Sequence, residues 1–271
     1  MRVPVLTYHA TNVSGNDYAT NDHVALAHDL RTLDALGYRI VPLDRVVDAL
    51  LHDADLPDKA VALTFDDGTD FDYYDLPHPA HGEQRSLFNV MRDFIAEFGP
   101  QQQPQLHATS FVVVSPAARA ELDRRCLVGR GWYGEDWWRA ATRSGMMAIA
   151  NHSWDHNHPA VSETSERVAQ GTFRCIDERA LADFEIRQAR DYLDRVAPSR
   201  ATALFAYPYG DTSEYLVSEY FPLGETVTGT RAAFGTQPDP ASRGANRWHL
   251  PRYVCGAHWR DSVGLRELLR A

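Results

Sequence analysis

Short apolar runs alternate along this chain with segments whose apolar residues recur at helical spacing. That alternation constrains the fold more than any other feature. Residues 3–8, 38–43, 60–63, 109–114, 146–150 and 203–207 read as strands, and 249–255 include another. Between them, Leu26, Leu30, Leu33 and Leu36 mark one helical face, stopped by Gly37. Val46, Val47, Leu50 and Leu51 mark a second. Leu87, Val90, Met91, Phe94, Ile95 and Phe98 mark a third, ended by Gly99 and Pro100. Further helices are expected over 135–143, through Ala182, Ile186, Ala189, Leu193 and Val196, and over 263–269. Strands that alternate with helices form a mostly parallel sheet, because each crossover returns the chain to the same end. About seven such units favour a closed or nearly closed α/β barrel. With 271 residues, 44% of them hydrophobic, the chain is expected to be one domain spanning 1–271.

The polar residues capable of chemistry fall where strands end, the rim that carries function in β/α barrels. The run at 60–63 leads into Thr64-Phe65-Asp66-Asp67-Gly68. Neighbouring residues of a strand point to opposite sides, so both carboxylates share a site only if the strand gives way to a loop there. One can then bind a metal while the other acts beside it as a base, with Gly68 permitting the turn. Alone, the string reads equally well as a surface turn. The second stretch is His152-Ser153-Trp154-Asp155-His156-Asn157-His158. If it makes a helical turn, His152 and His156 converge on one metal. With Asp67 they complete a two-imidazole, one-carboxylate set that leaves positions open for water and substrate, and that suits iron as well as zinc. His158 is expected as an exposed neighbour or a competing ligand. In the third stretch, Phe205-Ala206-Tyr207-Pro208-Tyr209-Gly210-Asp211, proline and glycine shape a turn whose Tyr209 N–H is available to a developing oxyanion.

The net charge of −10 argues against nucleic acid or an anionic membrane as partner. No apolar stretch reaches the roughly 18 residues that span a bilayer. No signal-peptide pattern opens the chain, which reads as cytoplasmic, or extracytoplasmic if a leader has been removed. The three cysteines, Cys126, Cys175 and Cys255, are widely spaced and read as buried or half-buried thiols rather than a disulfide framework or zinc site.

Together and in this order, the three stretches resemble the motifs of the polysaccharide deacetylase family (NodB-homology, carbohydrate esterase family 4). Smaller echoes are Ala108-Thr109-Ser110-Phe111-Val112, the Gly145-Met146 approach to the histidines, and Leu250-Pro251-Arg252. The resemblance implies a distorted (β/α) barrel, often of seven strands. It implies a divalent metal, most simply zinc, on Asp67, His152 and His156. It implies Asp66 as general base and the Tyr209 N–H in the oxyanion hole. The implied activity is removal of N-acetyl groups from N-acetylated sugars or polysaccharide by a metal-activated water. The other readings are a deacylase of a small amide or O-acetyl ester, and a catalytically inactive carbohydrate-binding member.

Three features depart from the family pattern. The position that usually carries Arg, two before the proline of the third motif, is Ala206. Arg252, on a later strand, is the expected substitute, its guanidinium pairing with Asp66 and keeping it ionised. The late Leu-x-His motif that supplies an acid in many members has no clean match near His249 or His258. The opening Pro4-Val5-Leu6-Thr7-Tyr8-His9 instead resembles the poly-N-acetylglucosamine deacetylase branch, whose acid lies near the N-terminus; this implies His9. Last, the insert from Asp70 to Arg85 is unusual. It is expected to be a long loop over the site, with Tyr73 and Tyr74 as sugar contacts. Asp70, Asp72 and Asp75 should form a solvated face, and His78 and His81 lie on the surface. Trp132, Tyr133 and Trp137 are able to stack on sugars, whereas Trp138 is expected to pack inside.

Overall fold

The computed structural model describes residues 1–127, 129–161 and 169–270. Its centre is a parallel sheet built from β1 (Val5–His9), β2 (Arg39–Ile40), β3 (Ala60–Asp66), β4 (Ala108–Val112), β5 (Met147–Asn151), β6 (Leu204–Ala206), β7 (Ala232–Phe234) and β8 (Tyr253–Val254). Seven strands follow one path, β7-β6-β5-β4-β3-β1-β8, and β2 pairs with the start of β3. The sheet curls until its edges approach. Leu250, just before β8, bridges in parallel to Phe234 of β7, while β8 pairs with β1 on its other side. The molecule is therefore the distorted (β/α) barrel expected from the alternation.

Side-chain size explains the curl. Along β3, Ala60, Ala62, Thr64 and Asp66 alternate with Val61, Leu63 and Phe65. The first set faces a narrow interior with Val5, Ala148, Ala150, Ala206 and Ala232, filled chiefly by Phe111 and Phe234. Thr7 and Thr64 satisfy one another there at 2.8 Å. Leu63 and Phe65 face outward with Leu6 and Tyr8, where helices cover them with Leu26, Leu30, Leu33, Met91 and Phe94. Small residues inside and large ones outside let parallel strands close tightly.

The covering helices include α1 (Asp22–Ala35), α2 (Leu43–His52), α3 (Leu87–Phe98) and α4 (Pro116–Cys126). Asn21 and Ser86 cap α1 and α3 through side-chain acceptors. Helix α4 lacks an apolar stripe that would mark it in the sequence. Its signal is the start, where Ser115 accepts from the Ala118 N–H and Pro116 occupies the first turn. The strand expected over 38–43 shrinks to two residues because α2 begins directly after Pro42. The helix expected from 135 begins at Trp138. Cys126 is exposed, not buried as expected, because it ends α4 at the surface; Cys175 is intermediate and Cys255 buried. No helix among the described residues is long and apolar enough to cross a membrane.

The N-terminal and C-terminal parts of the barrel meet at one buried acid. Asp29 of α1 accepts from the Tyr8 hydroxyl at 2.9 Å, the Trp259 indole N–H at 3.0 Å, and the Tyr18 hydroxyl. Burial pushes its carboxyl up to about 6 despite those donors. A raised folded pKa means stability is fully present below the unfolded value of 3.8 and is lost as pH rises through about 6. Asp29→Asn should flatten that decline in denaturation experiments across pH 4–7. Asp29→Ala, which strands three buried donors, should cost on the order of 3 kcal/mol near pH 4 and less as the pH rises toward 7.

Candidate active site

The parallel strands deliver their C-terminal ends to one rim, over a cavity of about 720 Å³. His9, Asp66, Asp67, His152, His156 and Tyr209 all line it. The path from strand to site is left-handed backbone. Among the described residues six non-glycines have positive φ, and five of them, Asp67, Ser153, His156, Asn157 and Tyr209, lie in the loops that form this site. Such residues are uncommon and cost about 1–3 kcal/mol each, so surrounding contacts must hold them.

At the end of β3, Asp66 keeps the inward direction of its strand. Asp67, at φ 74°, turns its side chain into the same cavity. The Asp67 carbonyl is held by the Val113 N–H at 3.2 Å and the Tyr133 hydroxyl at 2.9 Å. Gly68 follows at φ 72°, and a Cβ there would lie 2.8 Å from the Val112 Cα. Only glycine fits against β4 at that point.

The histidine stretch is not the helical turn that its spacing requires for convergence. Positive φ at Ser153 and His156 breaks any helix, and the loop brings the two rings together by reversing direction instead. Asn151 Oδ1 accepts from the Ser153 N–H and Ser153 Oγ from the His156 N–H. Buried Glu185 accepts from the Trp154 and Asp155 N–H groups at 3.1 and 3.3 Å. Glu185 lies in a π-helical turn, Asp183–Arg187, and the neighbouring Ile186 carbonyl accepts from Asn151 Nδ2. Nothing local in the sequence pairs Glu185 with this loop 30 residues away.

Asp67, His152 and His156 each offer one atom to a group whose members lie within 4.8 Å of one another. Both Nε2 atoms stand 3.7 Å from Asp67 Oδ1. His152 Nδ1 lies 2.9 Å from the Ala206 carbonyl, which only accepts, so Nδ1 carries the proton and Nε2 keeps a free lone pair that a metal could take. Burial lowers the pKa of His152, and burial with His152 beside it lowers that of His156 still further. Neutral imidazoles and one carboxylate fit a divalent cation such as zinc. His158 is half-buried and lines the cavity, its ring 6.2 Å from that of His156, but it is not part of the group.

Asp66 is 4% exposed, and Arg252 is fully buried beside it. The guanidinium meets the carboxylate with two parallel bonds, NH1 to Oδ1 and NH2 to Oδ2, both 2.8 Å. Its Nε donates to the Gly235 carbonyl and NH1 also reaches Thr64 Oγ1. Burial pushes the Asp66 carboxyl up, but Arg252, with His152 behind it, outweighs that and holds it well below the usual range. The His9 backbone N–H donates to Asp22 Oδ2 at 2.7 Å. His258 also lines the cavity, whereas His249 is turned to Thr212 Oγ1 at 2.8 Å and does not.

The insert departs from expectation. It is an ordered 3₁₀ turn, Asp70–Asp72, followed by a hairpin pairing Leu76–His78 with Gly82–Gln84. Tyr73 is not a cavity residue. It stacks on Phe88 and Trp137, at 4.6 and 5.7 Å between ring centres. Exposed Tyr74 does not line the cavity either, but His78 does. Asp72 is buried and accepts from Ser110 Oγ at 2.6 Å, so this acid is not solvated. Asp70 accepts from the Gly134 N–H, and Asp75 holds Arg85, Ser86 and Asn89. Trp137 and Trp138 are buried, whereas Tyr133 lies at the cavity wall.

Gly68→Ala should displace Asp67, because both positive φ and the Val112 backbone oppose a Cβ. Its expected signature is a zinc affinity lowered at least about tenfold in calorimetry, with a stability loss on the order of 2 kcal/mol. Unchanged zinc affinity would mean that the turn does not position the group.

The description "Polysaccharide deacetylase" belongs to the family that residues 53–228 match. No curated protein matches the sequence. Among solved structures, IcaB from Ammonifex degensii superimposes with a TM-score of 0.67 at 18% identity, covering 100% of this chain and 97% of that one. The deacetylase PplD of Streptococcus pyogenes, solved with acetate, gives 0.66 at 17%, covering 99% and 98%. A de-N-acetylase from Aggregatibacter actinomycetemcomitans gives 0.65 at 16%, covering 99% and 100%. At such identities the likeness speaks for the fold. The sequence match spans more than half the chain and includes the aspartate pair, the histidine loop and the Tyr209 turn, so this chain belongs to the polysaccharide deacetylase family.

Proposed function

We propose that this chain is a metal-dependent hydrolase that removes N-acetyl groups from N-acetylated sugars. The observation that carries the reading is the arrangement at the end of β3. A buried, Arg-paired carboxylate adjoins a carboxylate and two imidazoles able to hold a cation, in one cavity. Family membership supports the substrate class.

A divalent ion on Asp67, His152 and His156 supplies Lewis acidity to a carbonyl oxygen and acidifies water. Asp66, kept ionised by Arg252, is the base that takes a proton from the attacking water. Arg252 acts through Asp66 and is a positioning residue. Its two bonds fix the carboxylate plane and keep its charge available. The Tyr209 N–H, on a left-handed residue at the rim, donates to the oxyanion. His9, opposite Asp66 in the β1–β3 register, gives a proton to the leaving amine. Overall, water adds at the carbonyl carbon, the C–N bond breaks, and acetate and the amine are released. An ester would leave as an alcohol and need less help from an acid.

Acetate release from N-acetylglucosamine oligomers, with zinc supplied, tests the reading; zinc bound with no release from amide or ester would leave a binding protein. His9→Ala should lower kcat by about 10²-fold or more while zinc stays bound. If His258→Ala causes that loss and His9→Ala does not, the acid belongs to the C-terminal strand. Arg252→Met should remove the main influence that opposes burial at Asp66 and raise its pKa, so the acid limb of the pH–rate profile should move to higher pH. An unmoved limb would exclude Asp66 as the titrating base.

A further inference from the structure

The cavity differs on its two sides. Strand β3 carries Asp66 and Asp67 and has β1 on one side and β4 on the other. The β1 flank, with the turn after the adjacent β8, presents His9, Thr11 and His258. His258 Nδ1 accepts from the Val254 N–H at 2.8 Å, which places the ring proton of its neutral form on Nε2. The β4 flank presents Val113 just past the strand, and α4 with its C-terminal end presents Leu122, Cys126 and Leu127. Val113 and Leu122 pack together with Ala118, with Tyr133 against them. Because the Val113 N–H and Tyr133 hydroxyl both bind the Asp67 carbonyl, this apolar wall is fixed to the turn that carries Asp67.

The chemistry then orients the substrate. The carbonyl carbon of an amide carries its nitrogen and its acyl substituent in different directions. A substrate whose nitrogen faces the imidazole that protonates it points its acyl group away from β1, toward α4. The β1 flank offers hydrogen-bond partners for sugar hydroxyls. The α4 wall offers aliphatic surface and a thiol, which suit methylene groups and not hydroxyls. An acetyl group ends in one methyl; Val113 and Leu122 are buried at the inner end of the wall, and half-buried Leu127 with exposed Cys126 continues it outward.

We infer that the wall formed by Val113, Leu122, Cys126 and Leu127 is an acyl-chain subsite, and that the chain cleaves N-acyl groups longer than acetyl at least as well as acetyl. This rests on the amide-hydrolase reading above. The reaction is unchanged: water and the N-acyl sugar give a carboxylate and the amine.

The test follows amine release from N-acetyl-, N-butyryl- and N-hexanoylglucosamine oligomers by the full chain with zinc. Burial of methylenes predicts that kcat/KM rises roughly threefold per added carbon up to butyryl. Cys126→Trp, at the exposed end of α4, should lower the hexanoyl-to-acetyl ratio of kcat/KM by about tenfold. In the unmodified chain, hexanoate should slow alkylation of Cys126 by iodoacetamide, read by peptide mass spectrometry, at least about threefold more than acetate does. A higher kcat/KM for acetyl than for butyryl, or equal protection by both acids, would overturn the subsite and leave the deacetylase reading standing. No amine from any oligomer, with zinc bound, would overturn the hydrolase reading and the subsite with it.

Discussion

The buried pair of Arg252 and Asp66 is the interaction on which both barrel and site depend. Taking two ions out of water costs several kcal/mol each, and mutual attraction offsets this only when the geometry is good and the remaining groups find partners. Here the bonds are paired and parallel, Nε is used by the Gly235 carbonyl, and the guanidinium lies 5.3 Å over the Phe111 ring. The pair joins residues 186 apart and spans the place where the sheet closes. Arg252 precedes β8, which pairs with β1, and its Nε is bonded just beyond β7. The charge that closes the barrel is therefore the charge that keeps the carboxylate ionised. Its stability contribution is present above the ordinary carboxylate pKa of 3.8 and fades as pH falls through the depressed folded value.

The second constraint is backbone strain at the rim. Asp67, Ser153, His156 and Tyr209 adopt conformations that glycine would take more readily, yet each needs its side chain or its neighbours for the site. The offset comes from bonds that end in the same loops. The Asp67 carbonyl has two donors, and the histidine loop is tied by the Val114 and Ser115 N–H groups to its own carbonyls at Ser153 and Trp154. Buried Glu185 holds the other edge, and burial with Asp155 beside it pushes its carboxyl up. The loop is thus fixed from both β4 and the helix across from it.

These features divide according to whether their cause is local. Strand and helix order was legible because apolar period reports burial directly: Ala60–Asp66 and Leu87–Phe98 are found where the pattern puts them. The cluster of Asp67, His152 and His156 was legible as composition at strand ends, but not as conformation. The spacing of the histidines suggests a helical turn, and only the ties to Asn151, Ser153 and Glu185 make a left-handed loop preferable. Asp72 and Tyr73 misled for the same reason. Their sequence neighbours are polar, while the partners that bury them, Ser110, Phe88 and Trp137, come from other elements. Helix α4 escaped because it buries little, although Ser115 and Pro116 marked its start.

Position 206 shows why a site of this kind tolerates such rearrangement. The family's usual arginine position is Ala206 here, and that residue's carbonyl holds His152 Nδ1. A backbone carbonyl performs this task whatever the side chain, so the side chain is free to vary if a guanidinium arrives from elsewhere. Asp66 faces the barrel interior, where strands that are remote in sequence all converge. What electrostatics demands is a bidentate partner in the carboxylate plane within a dry interior; it sets no condition on the strand that supplies it. Arg252 meets that condition from outside the span 53–228 that matches the family. His9 likewise lies outside that span, yet stands opposite Asp66 in the register of β1 and β3. The geometry proposed for catalysis is therefore a property of the closed barrel rather than of the matched segment, and a fragment restricted to that segment would carry the cluster of Asp67, His152 and His156 without the guanidinium that keeps Asp66 ionised.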